Sequence, residues 1–190
     1  VFKAANGKLK TELNRQIDSE DEADALLAKL SSSSFQVADV QTKPAKKTPA
    51  APFTTSTLQQ EASLKLGFSV SKTMSVAQRL YEAGKITYMR TDSVNLSETA
   101  IQGAKKEIER AYGVEYSKPT KYNTKSNNAQ EAHEAIRPTD FSVHSISAER
   151  DEERLYELIW KRSIASQMAV AELERTTIKI VASGVEEYFN

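Results

Sequence analysis

The chain has 190 residues, 39% of them hydrophobic and 27% charged, a balance that fits a soluble globular protein of one sizeable domain or two small ones. It contains no cysteine, which excludes disulfides, thiol chemistry and zinc–thiolate sites and suits a cytoplasmic protein, and no apolar run approaches the roughly 20 residues of a membrane span. Lys+Arg and Asp+Glu are equal at 26 each, which counts against a free-standing nucleic-acid binder, because such proteins carry a basic excess.

The N-terminus, Val1 to Asn6, has the pattern of neither a signal nor a transit peptide. With no initiator Met, the chain is expected to start inside a longer polypeptide. Val1 to Ala5 reads as a strand, Asn6-Gly7 as a hairpin turn and Leu9 to Ile17 as the return strand. The acidic run Asp18 to Glu22 then opens a helix with Ala23, Leu26, Leu27 and Leu30 on its apolar face. Those acids complement the helix dipole, which explains them without a metal. Ser31 to Ser34 ends the helix, and Phe35 to Val40 alternates as a third strand. Lys43 to Pro52 holds three prolines and no buried pattern, so it reads as a linker.

From Phe53 to about Leu173 the signal is helical. Ser56 and Gln59 suggest a capping box ahead of Leu58, Ala62 and Leu66. Met74, Ala77, Leu80 and Tyr81 mark a second helix closed by Gly84. A short strand around Tyr88 follows. Ser97 caps a third helix carrying Ile101, Ala104 and Ile108, with Gly113 at its end. Val114 to Asn128 reads as a surface loop, and Glu149 to Glu172 as a long helix with Leu155, Leu158 and Ile159 inward. Thr176 to Val181 returns to strand, followed by a turn at Ser183-Gly184. The fold class expected is α+β: a mainly antiparallel β arch of residues 1–51 plus 174–190, carrying an inserted helical domain of residues 52–173.

One string carries chemistry: Ile86-Thr87-Tyr88-Met89-Arg90-Thr91-Asp92-Ser93. On a strand, residues i and i+2 share a face, so Tyr88 and Arg90 would present a hydroxyl and a guanidinium side by side. That pair suits attack by a phenol on a phosphodiester, with the guanidinium forked onto the phosphate oxygens as charge builds up. An isolated Tyr-x-Arg means little, because tyrosine is common in strands; the polar cluster after it adds weight. Forty residues on lies Asn128-Ala129-Gln130-Glu131-Ala132-His133-Glu134-Ala135-Ile136-Arg137-Pro138-Thr139. One helical turn apart, His133 and Arg137 could bring two cations to one phosphate. Arg137 contacts nucleic acid, or pairs internally with Glu134 or Asp140; the residues leave both open. His144 reads as structural, Glu82 as a helix-end carboxylate, and Gln59, Gln60 and Gln78 carry no assigned role.

The string ITYMRTDS resembles the active-site motif of type IA DNA topoisomerases, and its Tyr-Met-Arg is most similar to the bacterial topoisomerase I branch; topoisomerase III proteins usually have proline between the tyrosine and the arginine. The AQEAHEAIRPT segment and Pro52 to Gln60 resemble the same family, so the resemblance has specific motifs from about Pro52 to Thr139. It implies that Tyr88 becomes joined to a 5′ phosphate of one DNA strand while the other strand passes, and that the break reseals without ATP. It implies that Arg90 assists catalysis and that His133 contacts DNA phosphate near the cleavage site. It also implies that Mg2+ is held in a toprim domain whose acidic pattern and lysine are absent from these residues. The expected partners are single-stranded and negatively supercoiled DNA and the remaining domains of the parent chain, with no membrane. The isolated chain is expected to lack relaxation activity. The other readings are a single-stranded DNA-binding module, disfavoured by 7% aromatic content and zero net charge, and a piece of topoisomerase III or reverse gyrase.

Overall fold

In the computed structural model, the residues described are 7–122 and 134–190, together with the backbone of residues 2–4. They form two compact units, one of residues 1–47 and 172–190, the other of residues 48–171.

The first unit is strand-rich. β1 (Phe2–Ala4) and β2 (Gly7–Leu9) pair antiparallel, with Phe2 opposite Leu9. The expected return strand stops at Leu9 instead of reaching Ile17, since Lys10 to Ile17 makes only an isolated bridge, Leu13 to Phe189. α1 (Glu20–Ser31) starts at Ser19, whose hydroxyl accepts from the Glu22 amide. The Glu22 carboxylate is turned back to Arg15 at 2.6 Å, and Arg15 also holds Glu187 at 2.7 Å. Of the acidic run, Glu22 is thus engaged in an ion pair, and Glu20 and Asp21 stand in the first turn of α1.

β3 (Phe35–Lys47), β4 (Ala171–Ala182) and β5 (Tyr188–Phe189) form a three-stranded sheet in that order. Contacts between Ser34 and Ser183, Thr42 and Thr176, and Lys46 and Glu172 run in opposite chain directions, so β3 and β4 are antiparallel, as β4 and β5 are. β3 runs seven residues past Val40, so Lys43 to Lys47 is strand and not linker. Pro44 is tolerated because β3 lies at the sheet edge, where one side of the strand needs no ladder donor.

The second unit is helical. α2 (Thr55–Leu66) is capped by Thr54 in a box with Thr57, not by the expected Ser56 and Gln59. The threonine pair places a hydroxyl on each orphan amide, which glutamine at 59 is too far along to do. α3 (Val70–Glu82) begins at Ser69, and α4 (Glu98–Ala111) at Ser97, whose side chain accepts from the Ala100 amide. The 3-10 turn Val114–Tyr116 follows, and residues 117–122 are tied to the end of the last helix rather than free as a loop: Ser117 bridges Met168, and the Tyr122 hydroxyl donates to Ser166 O. α5 (Arg150–Ser166) ends six residues before Glu172. Gln167 terminates it, buried and bonded through its side chain to both backbone groups of Thr120.

The core of this unit joins all four helices, with Leu58, Val76, Leu80, Ile101, Ile108, Leu155 and Ile159 fully or nearly fully buried. Each such side chain contributes about 1.5–3 kcal/mol by leaving water. Phe53, Ile86, Met89 and Ile136 are buried with them, and these four come from the irregular segments between helices. The core therefore reaches under the segment that carries Tyr88. Arg162 of α5 lies over the Phe53 ring at 4.4 Å and donates to Glu61 of α2 at 2.6 Å.

Candidate active site

Three stretches of the second unit lie side by side: residues 53–55 at the entry to α2, and the non-helical residues 86–95 and 135–139. Their links are backbone bridges Phe53 to Ile136 and Ile86 to Pro138, and the bonds Thr87 N to Arg137 O at 2.9 Å and Ala135 N to Asn95 O at 2.8 Å. Side-chain hydroxyls do the rest. The Thr87 hydroxyl donates to Ala135 O at 2.7 Å and accepts from Arg137 N at 3.0 Å. The Thr55 hydroxyl reaches Met89 O at 2.7 Å and Thr91 O at 3.1 Å, and accepts from Thr91 N at 2.9 Å. Ser93 N donates to the Thr91 hydroxyl and Asn95 N to the Ser93 hydroxyl. Threonine and serine recur here because each supplies a local donor and acceptor where no regular ladder exists.

Tyr88 is accordingly not on a strand; only Ile86 makes a bridge. The alternation survives all the same. Met89, Thr91 and Ser93 are buried, while Tyr88, Arg90 and Asp92 are exposed, Tyr88 by 43%. Tyr88 and Arg90 are thus both exposed, on a segment fixed from beneath.

Arg79, Arg110, Arg137 and Arg162 are all in ion pairs, whereas Arg90 has no hydrogen-bond or ion-pair partner among the described residues. Neither has the Tyr88 hydroxyl. The Tyr88 ring meets the Tyr81 ring edge-on, centroids 5.2 Å apart and planes at 64°. Tyr81 sits in the last turn of α3, where Gln78 also donates to Glu82 at 2.6 Å.

His133 lies outside the described residues. Residues 134–139 make bridges and not a helical turn. Of the two roles open for Arg137, the internal pair is present: Nη2 donates to Glu134 Oε2 at 2.6 Å and Nη1 to Pro138 O at 3.0 Å, with the side chain 14% exposed. The other Glu134 oxygen accepts from the Ser97 amide at 2.6 Å, at the start of α4. Burial pushes the Glu134 carboxyl up, but the hydrogen bonds from Arg137 and Ser97 outweigh it and hold the group below the usual carboxylate range. His144 packs on Trp160, ring centroids 4.4 Å apart, and faces the buried carboxylate of Glu107.

Among the described residues no group of three or more His, Asp or Glu side chains could hold a metal ion. Among the described residues no helix is long and apolar enough to cross a membrane. Sequence reasoning missed Thr55, Thr87 and Tyr81. The first two carry no local signal, since their partners lie 34 to 50 residues away; Tyr81 was visible as an apolar helix position but not as an exposed one.

A sequence model of a family described as DNA topoisomerase matches residues 2–190. DNA topoisomerase 1 of Zymomonas mobilis is 56% identical over 161 residues, covering 84% of this chain and 13% of that protein. DNA topoisomerase 1 of Mycolicibacterium smegmatis is 48% identical over 195 residues, covering 97% and 21%. Among solved structures, full-length topoisomerase I from Thermotoga maritima superposes with a TM-score of 0.69 at 36% identity, over 94% of this chain and 31% of that one. The chain thus spans about a fifth or less of the length of these curated relatives.

Proposed function

Because this chain belongs to the type IA DNA topoisomerases, in the bacterial topoisomerase I branch, we propose that it is the segment of such an enzyme that carries the nucleophile, Tyr88. The observation that supports this most directly is the solvent-facing pair of an unengaged phenol and an unpaired guanidinium, Tyr88 and Arg90, on a segment clamped from beneath by Thr55 and Thr87. A guanidinium free of internal partners can stabilise the charge that develops on a reacting phosphate.

The Tyr88 oxygen attacks phosphorus, the bond to the 3′ oxygen breaks, and the strand's 5′ phosphate is held as a phosphotyrosine ester. The phenol gives up its proton and the departing 3′ oxygen gains one. Resealing is the reverse, and the bond energy kept in the ester is why no ATP is consumed. Attack by a phenol at neutral pH needs a cation that favours the phenolate and the charged transition state together, and that role is assigned to Arg90. His133 is proposed to contact the neighbouring phosphate. Arg137, held by Glu134, contributes to DNA binding through the backbone it fixes. The acids that hold Mg2+ and the lysine that serves the leaving oxygen are assigned to a toprim domain elsewhere in the parent protein. The substrate is single-stranded or negatively supercoiled DNA.

The test is Tyr88→Phe in the full-length enzyme, measured by relaxation of negatively supercoiled plasmid and by trapping the covalent adduct on a labelled single strand. Both are expected to vanish. Wild-type relaxation by the variant overturns the assignment. The isolated chain with Mg2+ should give no topoisomers; efficient relaxation by it alone would show that the rest of the enzyme is dispensable.

A further inference from the structure

An exposed tyrosine normally samples several side-chain rotamers, which is a poor starting point for in-line attack on phosphorus. Reacting atoms must be held in line and near contact. Among the described residues, no hydrogen bond restrains the Tyr88 hydroxyl. What does bear on its ring is the edge of Tyr81, 41% exposed and 5.2 Å away centroid to centroid.

We propose that Tyr81 is a positioning residue for the nucleophile, fixing the direction of the Tyr88 phenol through an edge-to-face ring contact; this rests on the reading of Tyr88 given above. Both backbones that carry the rings are locked. On the Tyr81 side, α3 is closed by Gly84 N to Tyr81 O and Lys85 N to Leu80 O, each 2.8 Å, a closure that uses the left-handed conformation of Gly84, φ +67°. On the Tyr88 side, Thr87 N is bonded to Arg137 O and Met89 O to the Thr55 hydroxyl. Two rings hung from fixed backbones and touching at 64° restrict each other's rotamers.

The kind of contact matters. A hydrogen bond donated to the Tyr88 oxygen would also orient it, but would draw electron density from the oxygen and lower its nucleophilicity. A ring edge supplies orientation through the aromatic quadrupole and shape alone and leaves the oxygen free. Tyr81 touches no reacting atom, so its effect should fall on the chemical step and not on DNA binding. Its own hydroxyl has no part in the contact, so phenylalanine should replace it.

The test uses the full-length enzyme with Tyr81→Ala, Tyr81→Leu and Tyr81→Phe, and Tyr88→Phe in parallel. Single-turnover cleavage of a labelled single-stranded oligonucleotide at saturating enzyme gives the chemical rate; fluorescence anisotropy gives the dissociation constant. Tyr81→Ala and Tyr81→Leu should slow saturated cleavage roughly 10- to 100-fold, the scale of a misplaced reacting group, with unchanged affinity, and Tyr81→Phe should cleave like wild type. Wild-type cleavage by Tyr81→Ala overturns the proposal. So does a Tyr81→Phe as impaired as Tyr81→Ala, which would implicate the hydroxyl. Weakened affinity with an unchanged saturated rate also overturns it, making Tyr81 a DNA contact. Adduct formation by Tyr88→Phe would instead remove the underlying reading of the nucleophile, independently of how the Tyr81 variants behave.

Discussion

Thr55→Val separates the hydroxyl clamp from everything else at its position. Valine has nearly the shape of threonine, so no cavity is created, and the two differ little in helix propensity, so α2 still starts at residue 55. The backbone bond from Thr55 N to Thr91 O at 2.9 Å remains. Lost are the donation to Met89 O, shared with Thr91 O, and the acceptance from Thr91 N. Met89 is fully buried and Thr91 nearly so, so water replaces these partners poorly. Two hydrogen bonds at about 0.5–1.5 kcal/mol each, plus part of the cost of unsatisfied groups, give a destabilisation of about 2 kcal/mol. Trp160 is the single tryptophan and lies buried in α5 of the same unit, so its fluorescence reads the unfolding of this unit in urea. With a slope of about 1–3 kcal/mol per molar, the midpoint should fall by about 1 M. Thr55→Ser keeps the hydroxyl and should recover most of that shift. An unchanged midpoint in Thr55→Val, or equal losses in the valine and serine variants, would refute the view that this hydroxyl holds the Arg90 segment in place.

Two further outcomes follow from the same unit. The Glu107 carboxyl is held below its usual range by Arg110, against burial and with help from His144. A depressed folded pKa gives stability that is present above the unfolded value of 4.5 and lost as the pH falls through the lower folded value. Urea midpoints read from Trp160 should therefore drop below about pH 4.5, and Glu107→Gln should flatten that drop while lowering stability at pH 7. Gly84 has φ +67° and open space where a Cβ would stand, so Gly84→Ala should cost about 1 kcal/mol through backbone strain alone, and Gly84→Asn less; a neutral alanine would contradict the left-handed turn that ends α3.

The sequence by itself determined the elements whose causes are local. Ser97 announces α4 because a cap needs only a hydroxyl and the amide three residues on, and the acidic run at 18–22 announces the start of α1. The apolar faces of α3 and α5 are readable because a 3.6-residue period is written into the chain. The exposure of Tyr88 and Arg90 with Met89 buried between them matches the alternation read along the chain, and the motifs around them were specific enough to name the family. Tertiary structure decided what depends on distant partners. Residues 86–95 look like a strand in isolation, yet their neighbours at 53–55 and 135–139 offer threonine hydroxyls and scattered bridges in place of a ladder. Pro44 reads as a linker until β3 is seen to lie at a sheet edge, where its missing N–H costs nothing. Glu172 continues a helical pattern, but the buried Gln167 amide, satisfied by Thr120 across 47 residues, stops α5 first. Arg137 could have faced DNA or a carboxylate, and only the fold brings Glu134 and the Ser97 amide together around it. Periodicity and caps are written in neighbouring residues; which hydroxyl meets which carbonyl 30 to 50 positions away is set only when the core beneath them closes.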